Sequence, residues 1–525
     1  MIRILARRSW PVLVSLFIVL SLGGLAVSAG TARPGTGGQA PLTENPRMLV
    51  IAANSGSFFM TEWNRLVAHK ASLGITVTVV QLATDILPGT AGRDDAEKVK
   101  NYIRNWKLAN WSTARYVLIG ENFDNGAATT FHVRFTAIPT TEPGDFAPAT
   151  LAYYGDLFND DGTNATWDDD GDNLFAEPGV DPFNFFTNAD QGDLFVGYLP
   201  PMLSGKANTA ANALPLKILV DKIIGYENPA ANGGIAYPQL APGNWFMNYG
   251  MFGGNVWSGG PADSDPFTIG DRISERTCLG IRDGILPLAS GLPPGVSFQE
   301  AGHFFNPTVD YIEGRTANPL EGRMGNGLGA LVPGGEGIRK YVRQVNGQGV
   351  GTGAGWMYGD GHGYMSVSAV YQDHPFFPGS SIHVLNSAWR SVLDFTNWNG
   401  PYPIGVVSGC DVNFTDRITY GDVGQQCLGE LVVLAREDSA GANLDKPYGF
   451  IAFIGCSRGQ FTMPQLNGYS HPTAYTRGGV SRLGEIVSKS QELVLARQDL
   501  WKDLFDSGGN GSYGEYYFFN QAIVT

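Results

Sequence analysis

Several signatures of common enzymes are missing from this chain of 525 residues. It contains no HExxH, CxxC or GxSxG pattern, so zinc-protease and nucleophile-elbow serine hydrolase chemistry have no support in the sequence. The glycine-rich run at Gly325–Gly329 follows no predicted strand, which is the context that a dinucleotide-binding loop requires. We therefore expect no organic cofactor.

Positive charge and cysteine are both scarce. With 35 Lys and Arg against 49 Asp and Glu, the formal net charge is −14, which argues against nucleic acid or an anionic membrane as a partner. The four cysteines are Cys278, Cys410, Cys427 and Cys456. So few cysteines in a chain of this length do not make a disulfide scaffold, although a bridge between Cys427 and Cys456 is conceivable.

Long apolar runs are absent beyond the first 29 residues. Residues 1–29 combine Arg3, Arg7 and Arg8 with an apolar stretch from Val12 to Leu25 and a small-residue site ending at Ala29. This pattern predicts a secretory signal peptide, with a membrane anchor as the alternative. We expect a secreted, extracellular protein with no membrane span after signal removal. A Pro- and Gly-rich linker covers 30–46.

Apolar runs alternate with segments of helical periodicity through the rest of the chain. Met48–Ala53, Ile75–Leu82 and Tyr116–Gly120 are predicted strands, and Thr61–Leu73 and Asp94–Leu108 are predicted helices between them. Strand–helix alternation is typical of a parallel sheet covered by helices. The fold class is therefore α/β, with an N-terminal subdomain at 47–232, a boundary in the Pro/Gly/Asn-rich run after Asn228, and a C-terminal subdomain at 233–525.

An acidic segment interrupts the first subdomain. No Lys or Arg occurs between Arg134 and Lys206, while carboxylates cluster there. Asp168, Asp170, Asp172 and Glu177 fit positions 3, 5, 7 and 12 of a calcium-binding loop, although Thr166 departs from the pattern at position 1. Because crowded carboxylates repel one another, we expect these four to bind a structural Ca²⁺; a solvated acidic loop is the alternative.

Two reactive side chains each follow a short apolar run that ends in glycine. His362 follows Trp356–Gly361, and Cys410 follows Ile404–Gly409. Parallel strands deliver residues at their carboxyl ends, where ligands bind, so this pattern predicts a thiol nucleophile with an imidazole partner. The backbone N–H groups of Gly363 and Cys410 are candidates for an oxyanion hole. A buried, inert cysteine is the alternative.

Taken together, these motifs resemble the gingipain family of cysteine peptidases, which are relatives of the caspases in fold. The resemblance covers residues 47–525 and rests on runs that occur in the same order, namely Met48–Ala53, Asp193–Pro200, Lys222–Glu227, Gly361–Gly363, Ser408–Cys410, Cys427–Glu430, Gly449–Gly455 and Ser457-Arg458. It implies two caspase-like three-layer α/β/α subdomains with mainly parallel sheets. It also implies Cys410 as the nucleophile, His362 as the general acid and base, protein or peptide substrates, and structural calcium.

The interval from His362 to Cys410 is longer than the family leads us to expect, with an aromatic and Pro-rich insert at Tyr371–Pro378. A pocket for a basic substrate side chain would need a carboxylate. Asp263, Asp265, Asp271 and Glu275 are all candidates for that carboxylate or for the acid that orients His362. Two other functions remain open for this fold: a transpeptidase-like processing enzyme for exported proteins, and a non-catalytic surface-binding module.

Overall fold

The computed structural model describes most of the first half of the chain and the central strands of the second. The described residues are 45–52, 57–121, 131–137, 149–159, 161–177, 180–181, 194–201, 213–227, 248–253, 297–298, 356–360, 362–364, 367–374, 377–385, 402–408, 427–434, 450–457, 471, 482–495 and 521–524. Among the helices of these ranges, none combines the length and the apolar character that a bilayer crossing requires.

The strands are β1 (Arg47–Ala52), β2 (Thr76–Gln81), β3 (Ala114–Gly120), β4 (Arg134–Phe135), β5 (Ala149–Thr150), β6 (Phe195–Tyr198), β7 (Asn248–Gly253), β8 (Ser297–Phe298), β9 (Trp356–Asp360), β10 (His362–Tyr364), β11 (Val367–His374), β12 (Phe377–Leu385), β13 (Ile404–Ser408), β14 (Ala452–Cys456) and β15 (Gln521–Val524). The helices are α1 (Ser57–Ser72), α2 (Asp95–Ala109), α3 (Ala152–Gly155), α4 (Leu214–Glu227), α5 (Leu428–Val433) and α6 (Leu483–Leu495). A π-helical turn at Leu82–Ile86 follows β2.

One ten-stranded sheet contains strands from both halves of the chain, in the order β2-β1-β3-β6-β15-β14-β13-β9-β7-β8. Neighbours within the group β2-β1-β3-β6 are parallel, and so are neighbours within the group β14-β13-β9-β7-β8. Between the groups, β15 is parallel to β6 and antiparallel to β14. The two groups therefore run in opposite directions, and the carboxyl ends of the second group lie at the edge where the first group begins.

The α/β class with a mainly parallel sheet is thus confirmed. The strands predicted at Met48–Ala53, Ile75–Leu82 and Tyr116–Gly120 are present, with shifts of no more than two residues at either end. Helix α1 begins at Ser57, earlier than predicted, because Phe59 is a buried core residue of that helix. Sequence periodicity missed the π-helical turn, the short pair β4–β5, and the reversed strand β15.

Several predicted elements lie outside the described residues. Apolar periodicity in the sequence also predicts helices at Lys206–Tyr226, Asp271–Ile285, Gly337–Val345 and Ser387–Phe395, of which the last three and the start of the first lie outside the described residues. The boundary after Asn228 lies there too, so the division into subdomains at 47–232 and 233–525 stays a prediction.

Buried polar contacts connect the two groups of strands. Lys222 of α4 is fully buried, and its ammonium donates to the carbonyls of Val433, at the end of α5, and of Phe450, at 2.9 Å. Burial holds the pKa of Lys222 well below its ordinary value. The Tyr198 hydroxyl of β6 donates to Glu430 of α5 at 2.9 Å. Because buried donors and acceptors are costly when unpaired, these contacts require the two groups to pack in one arrangement.

Replacing Lys222 by Ala should therefore lower stability strongly. The change leaves two buried carbonyls without their donor and opens a cavity, which together cost about 3 kcal/mol or more. Lys217→Ala is the matched control on the same helix, because the Lys217 side chain is partly exposed to solvent and its ion pair with Asp221 contributes about 1 kcal/mol or less. Thermal melts of both variants test this. Equal melting temperatures would show that the Lys222 contacts contribute little.

Candidate active site

Strands β9 and β13 are parallel neighbours whose last residues are paired. Asp360 ends β9 and is in register with Ser408, which ends β13. His362 and Cys410 each follow two positions after one of these paired residues. Because neighbouring strands are about 4.8 Å apart, the chain leaves β9 and β13 at adjacent points on the same edge of the sheet. Cys410 itself lies outside the described residues.

His362 is the first residue of β10, which begins a separate three-stranded antiparallel sheet in the order β10-β11-β12. Within this sheet Gly363 is paired with Ser368, and β10 is the edge strand. The insert predicted at Tyr371–Pro378 contains the end of β11 and the start of β12. The additional length between His362 and Cys410 therefore forms a β-hairpin beside the histidine strand. The oxyanion-hole role of Gly363 and Cys410 stays a prediction.

Two of the other cysteines are described. Cys427 and Cys456 are both buried thiols. Cys456 ends β14, next to the carboxyl end of β13, and is fully enclosed. Cys278 and the four acids Asp263, Asp265, Asp271 and Glu275 lie outside the described residues.

The acidic segment forms a compact lobe, residues 149–181, beside α2. Two overlapping groups of carboxylates each have oxygens within 4.8 Å of one another: Asp168, Asp170 and Asp181 form one, and Asp170, Asp172 and Glu177 form the other. All four residues predicted as ligands are therefore brought together. Asp181 was missed because it lies beyond the twelve-residue loop pattern. Its carboxylate accepts from the backbone N–H groups of Asp169, at 2.8 Å, and Glu177, at 3.0 Å.

Repulsion between neighbouring carboxylates contributes to the pKa shifts of two acids in the lobe. Burial and the charges of Asp172 and Asp170 raise the pKa of Glu177. Burial and the charge of Asp168 raise the pKa of Asp181, against the effect of its backbone hydrogen bonds. Asp168 differs. Burial acts to raise the pKa of its carboxyl, but the hydrogen bond from Arg93 opposes burial, and the pKa lies below the ordinary value of an aspartate. One oxygen of Asp168 is thus occupied by a protein cation.

The lobe's backbone is tightly wound. Trp167 and Ala176 adopt left-handed conformations, with φ of 65° and 56°, that cost free energy in residues with a Cβ. The Ala176 N–H donates to the Trp167 carbonyl at 2.7 Å, which closes the loop between them. The indole N–H of Trp167 donates to the buried carboxylate of Asp156. These contacts maintain the two strained residues.

Cations from α2 and β4 anchor the lobe. The Lys100 ammonium is buried 4.0 Å from the centre of the Tyr153 ring and 5.3 Å from that of Trp167. The Arg134 guanidinium lies 3.7 Å from the centre of the Phe175 ring and forms two 2.8 Å hydrogen bonds to Asp94. Such stacked and bidentate contacts fix position as well as charge.

The lobe also contacts the edge of the sheet that carries the candidate catalytic residues. Ser457, immediately after β14, is buried, and its hydroxyl donates to the Ala149 carbonyl of β5 at 3.4 Å. The Leu194 N–H, just before β6, donates to the Gly155 carbonyl at 3.1 Å. Because the two strand groups run in opposite directions, the lobe therefore spans the start of β6 and the end of β14.

This arrangement is that of an α/β protein in which the neighbouring parallel strands β9 and β13 end at one edge of the sheet. The sequence profile of peptidase family C25 matches residues 42–519. The chain therefore belongs to this family, the gingipain family, and is a cysteine-type peptidase, a hydrolase that acts on proteins or peptides. No curated protein sequence and no solved structure matches the chain significantly.

Asp94 should be a strong determinant of lobe stability. Its carboxylate caps α2 by accepting from the Glu97 N–H and also holds the buried Arg134. Asp94→Ala should cost about 1 kcal/mol for the cap and more for the uncompensated guanidinium. Asp94→Asn is the control, because it keeps a capping oxygen but removes the charge.

The Asp94 contribution should also depend on pH. Burial would raise the pKa of Asp94, but the hydrogen bonds from Arg134 and Glu97 lower it below 3.8. Its stabilisation is then complete above the unfolded-state pKa and is lost as the pH falls through the lower folded-state value. Melting curves of Asp94→Ala and the native protein should differ at pH 7 and converge as the pH falls below the ordinary pKa of an aspartate. A difference that persists at low pH would contradict this role.

Proposed function

We propose that this peptidase is an exported endopeptidase in which Cys410 is the nucleophile and His362 is the general acid and base. The observation that carries the proposal is the pairing of Asp360 with Ser408, which gives the two residues equal offsets at one sheet edge. The family match supports a cysteine nucleophile, and the sequence of residues 1–29 supports export.

The chemistry is an acyl transfer in two steps. His362 takes the proton of the Cys410 thiol as the sulfur attacks the carbonyl carbon of the scissile bond, and the tetrahedral oxyanion accepts hydrogen bonds from the N–H groups of Gly363 and Cys410. The C–N bond breaks, His362 supplies the proton to the departing amine, and a thioester remains. His362 then accepts a proton from the water that hydrolyses this thioester and regenerates the thiol.

Substitutions at the two residues test the proposal. Cys410→Ala and His362→Ala should each lower kcat/KM on a mixed peptide library by roughly a thousandfold or more, because each removes a group that reacts directly. Cys456→Ala is the matched control, since that thiol is buried at the end of the neighbouring strand β14.

Three outcomes would redirect the assignment. Activity that survives both Cys410→Ala and His362→Ala would refute the mechanism. Transfer of the acyl group to an added amine, detected by mass spectrometry, would favour the transpeptidase-like processing enzyme, because an amine resolves the same thioester. A native protein that binds peptides without cleaving them would favour the surface-binding module.

We also propose that the lobe binds a structural Ca²⁺ through Asp168, Asp170, Asp172 and Glu177, with Asp181 as a further ligand. The support is the two overlapping groups of three carboxylates, since the oxygens within each group lie within 4.8 Å of one another, a spacing that suits the 2.3–2.6 Å ligand distances of calcium. The raised pKa values of Glu177 and Asp181 indicate repulsion that a cation would offset. Bound Ca²⁺ would thereby steady the contact between Ala149 and Ser457 beside the candidate active site.

Removal of calcium should therefore lower the melting temperature. Ca²⁺ at a hundredfold excess over its Kd would contribute about 2.7 kcal/mol to stability. Addition of Ca²⁺ after chelation should restore the melting temperature, whereas Mg²⁺ should restore it poorly, because Mg²⁺ dehydrates reluctantly.

The role of the carboxylates in this effect is tested by a pair of variants. Asp170→Asn should abolish the response to Ca²⁺, because Asp170 belongs to both carboxylate groups. Asp161→Asn is the control: Asp161 is exposed in the same lobe and bonds Thr163 instead. Identical melts of the native protein in chelator and in millimolar Ca²⁺ would leave the lobe a solvated acidic loop.

A further inference from the structure

An elongated cavity of about 360 Å³ lies on one face of the ten-stranded sheet. Its lining comes from α1, α4 and α6 and from six strands, which range from β1 to β9 in the sheet order. These strands and β15 occupy seven successive positions, so at a spacing of about 4.8 Å the lining extends across nearly 30 Å of sheet. The cavity thus crosses the junction between the two strand groups.

The helices that border the cavity are on the same side of the sheet. A Cβ at Gly120 would approach the Trp63 ring of α1 at 2.5 Å, and Tyr116, four residues earlier in β3, contacts Glu485 of α6. Residues an even number apart on a strand face the same way, so α1 and α6 cover one face. The surface between them is apolar, with Phe195, Ile404 and Trp356 along the lining.

The polar groups of the cavity favour an anion. Both oxygens of Glu227 are already bonded, one by Lys70 and the other by His69 at 2.8 Å. Lys70 therefore keeps N–H donors beyond its bond to Glu227, and it lines the cavity. Among the described residues Arg482 donates through Nη1 to the Tyr116 hydroxyl, which leaves its other guanidinium donors for a ligand.

Two further features near Arg482 bear on the binding of an anion in the cavity. Helix α6 begins at Leu483, which also lines the cavity, and the first turn of a helix stabilises negative charge. The carboxylate of Glu485 accepts from the Tyr116 hydroxyl and lies 4.0 Å from Nη1 of Arg482, so its ion pair with Arg482 involves that one nitrogen of the guanidinium. Burial and that carboxylate raise the pKa of Tyr116 to about 12, so the hydroxyl stays neutral.

We propose that this cavity binds a long-chain carboxylate, with the acyl chain along the sheet and the carboxylate at Arg482. A methylene group is similar in volume to a water molecule, roughly 30 Å³, so the cavity holds a chain of about twelve carbons. Each methylene group buried against the apolar lining adds to the binding free energy, which makes a fatty acid a better occupant than a small anion. Binding at this cavity does not depend on the proposed peptidase mechanism.

The test is direct binding of dodecanoate to the full-length protein by titration calorimetry, below its micellar concentration and without substrate. We expect saturable binding at one site. Arg482→Gln should weaken dodecanoate binding at least tenfold while binding of dodecanol is unchanged. Lys98→Gln, which alters a lysine on α2 away from the cavity, is the control and should bind as the native protein does.

A second variant separates the cavity from nonspecific adsorption. Ile223→Trp places a large side chain in the lining from α4 and should abolish binding. If that variant melts below the native protein, Leu73→Trp at the exposed rim replaces it. Absence of saturable binding, equal binding of dodecyltrimethylammonium, or undiminished affinity in a folded cavity-filling variant would each overturn the proposal. Because no activity is measured, this result is independent of the peptidase assays.

Discussion

The reversal of strand direction at β15 is the constraint on which the rest of the molecule depends. Two sets of parallel strands that ran in the same direction would place all their carboxyl ends at one edge. Here β15 is parallel to β6 but antiparallel to β14, so the start of the first set meets the end of the second. The acidic lobe, inserted before β6, thereby reaches Ser457 and the edge where β9 and β13 end.

Local sequence signals predicted the elements well, and long-range pairing was where they failed. Strands β1, β2 and β3 are buried apolar runs, and α2 has an acidic first turn with a capping aspartate, so each could be recognised from its own residues. The position of β15 depends on two distant partners: Val524 pairs with Phe453 of β14 and with Tyr198 of β6, both far away in the chain. Nothing in Gln521–Val524 indicates which strand it joins or in which direction.

In the candidate sites, too, the spacing of residues along the chain could be predicted, and contacts between distant segments could not. The spacing of Asp168, Asp170 and Asp172 was visible in the sequence, and the structure brings them together. Asp181 and the occupation of Asp168 by Arg93 were not predictable, because both depend on how the loop folds back against α2. Glycine followed by a reactive residue is the sequence pattern from which His362 and Cys410 are predicted, whereas the register that pairs Asp360 with Ser408 is a property of the sheet.

The position of β15 in the chain has a consequence for the order of assembly. This strand follows all the other described strands in sequence, yet it lies between β6 and β14. During synthesis or export that begins at the amino end, the β6 edge of the first set stays unpaired until the last strand emerges. Unpaired edges are templates for aggregation. Nascent chains that lack β15 therefore expose the β6 edge, and the two groups of strands become one sheet only when β15 is in place.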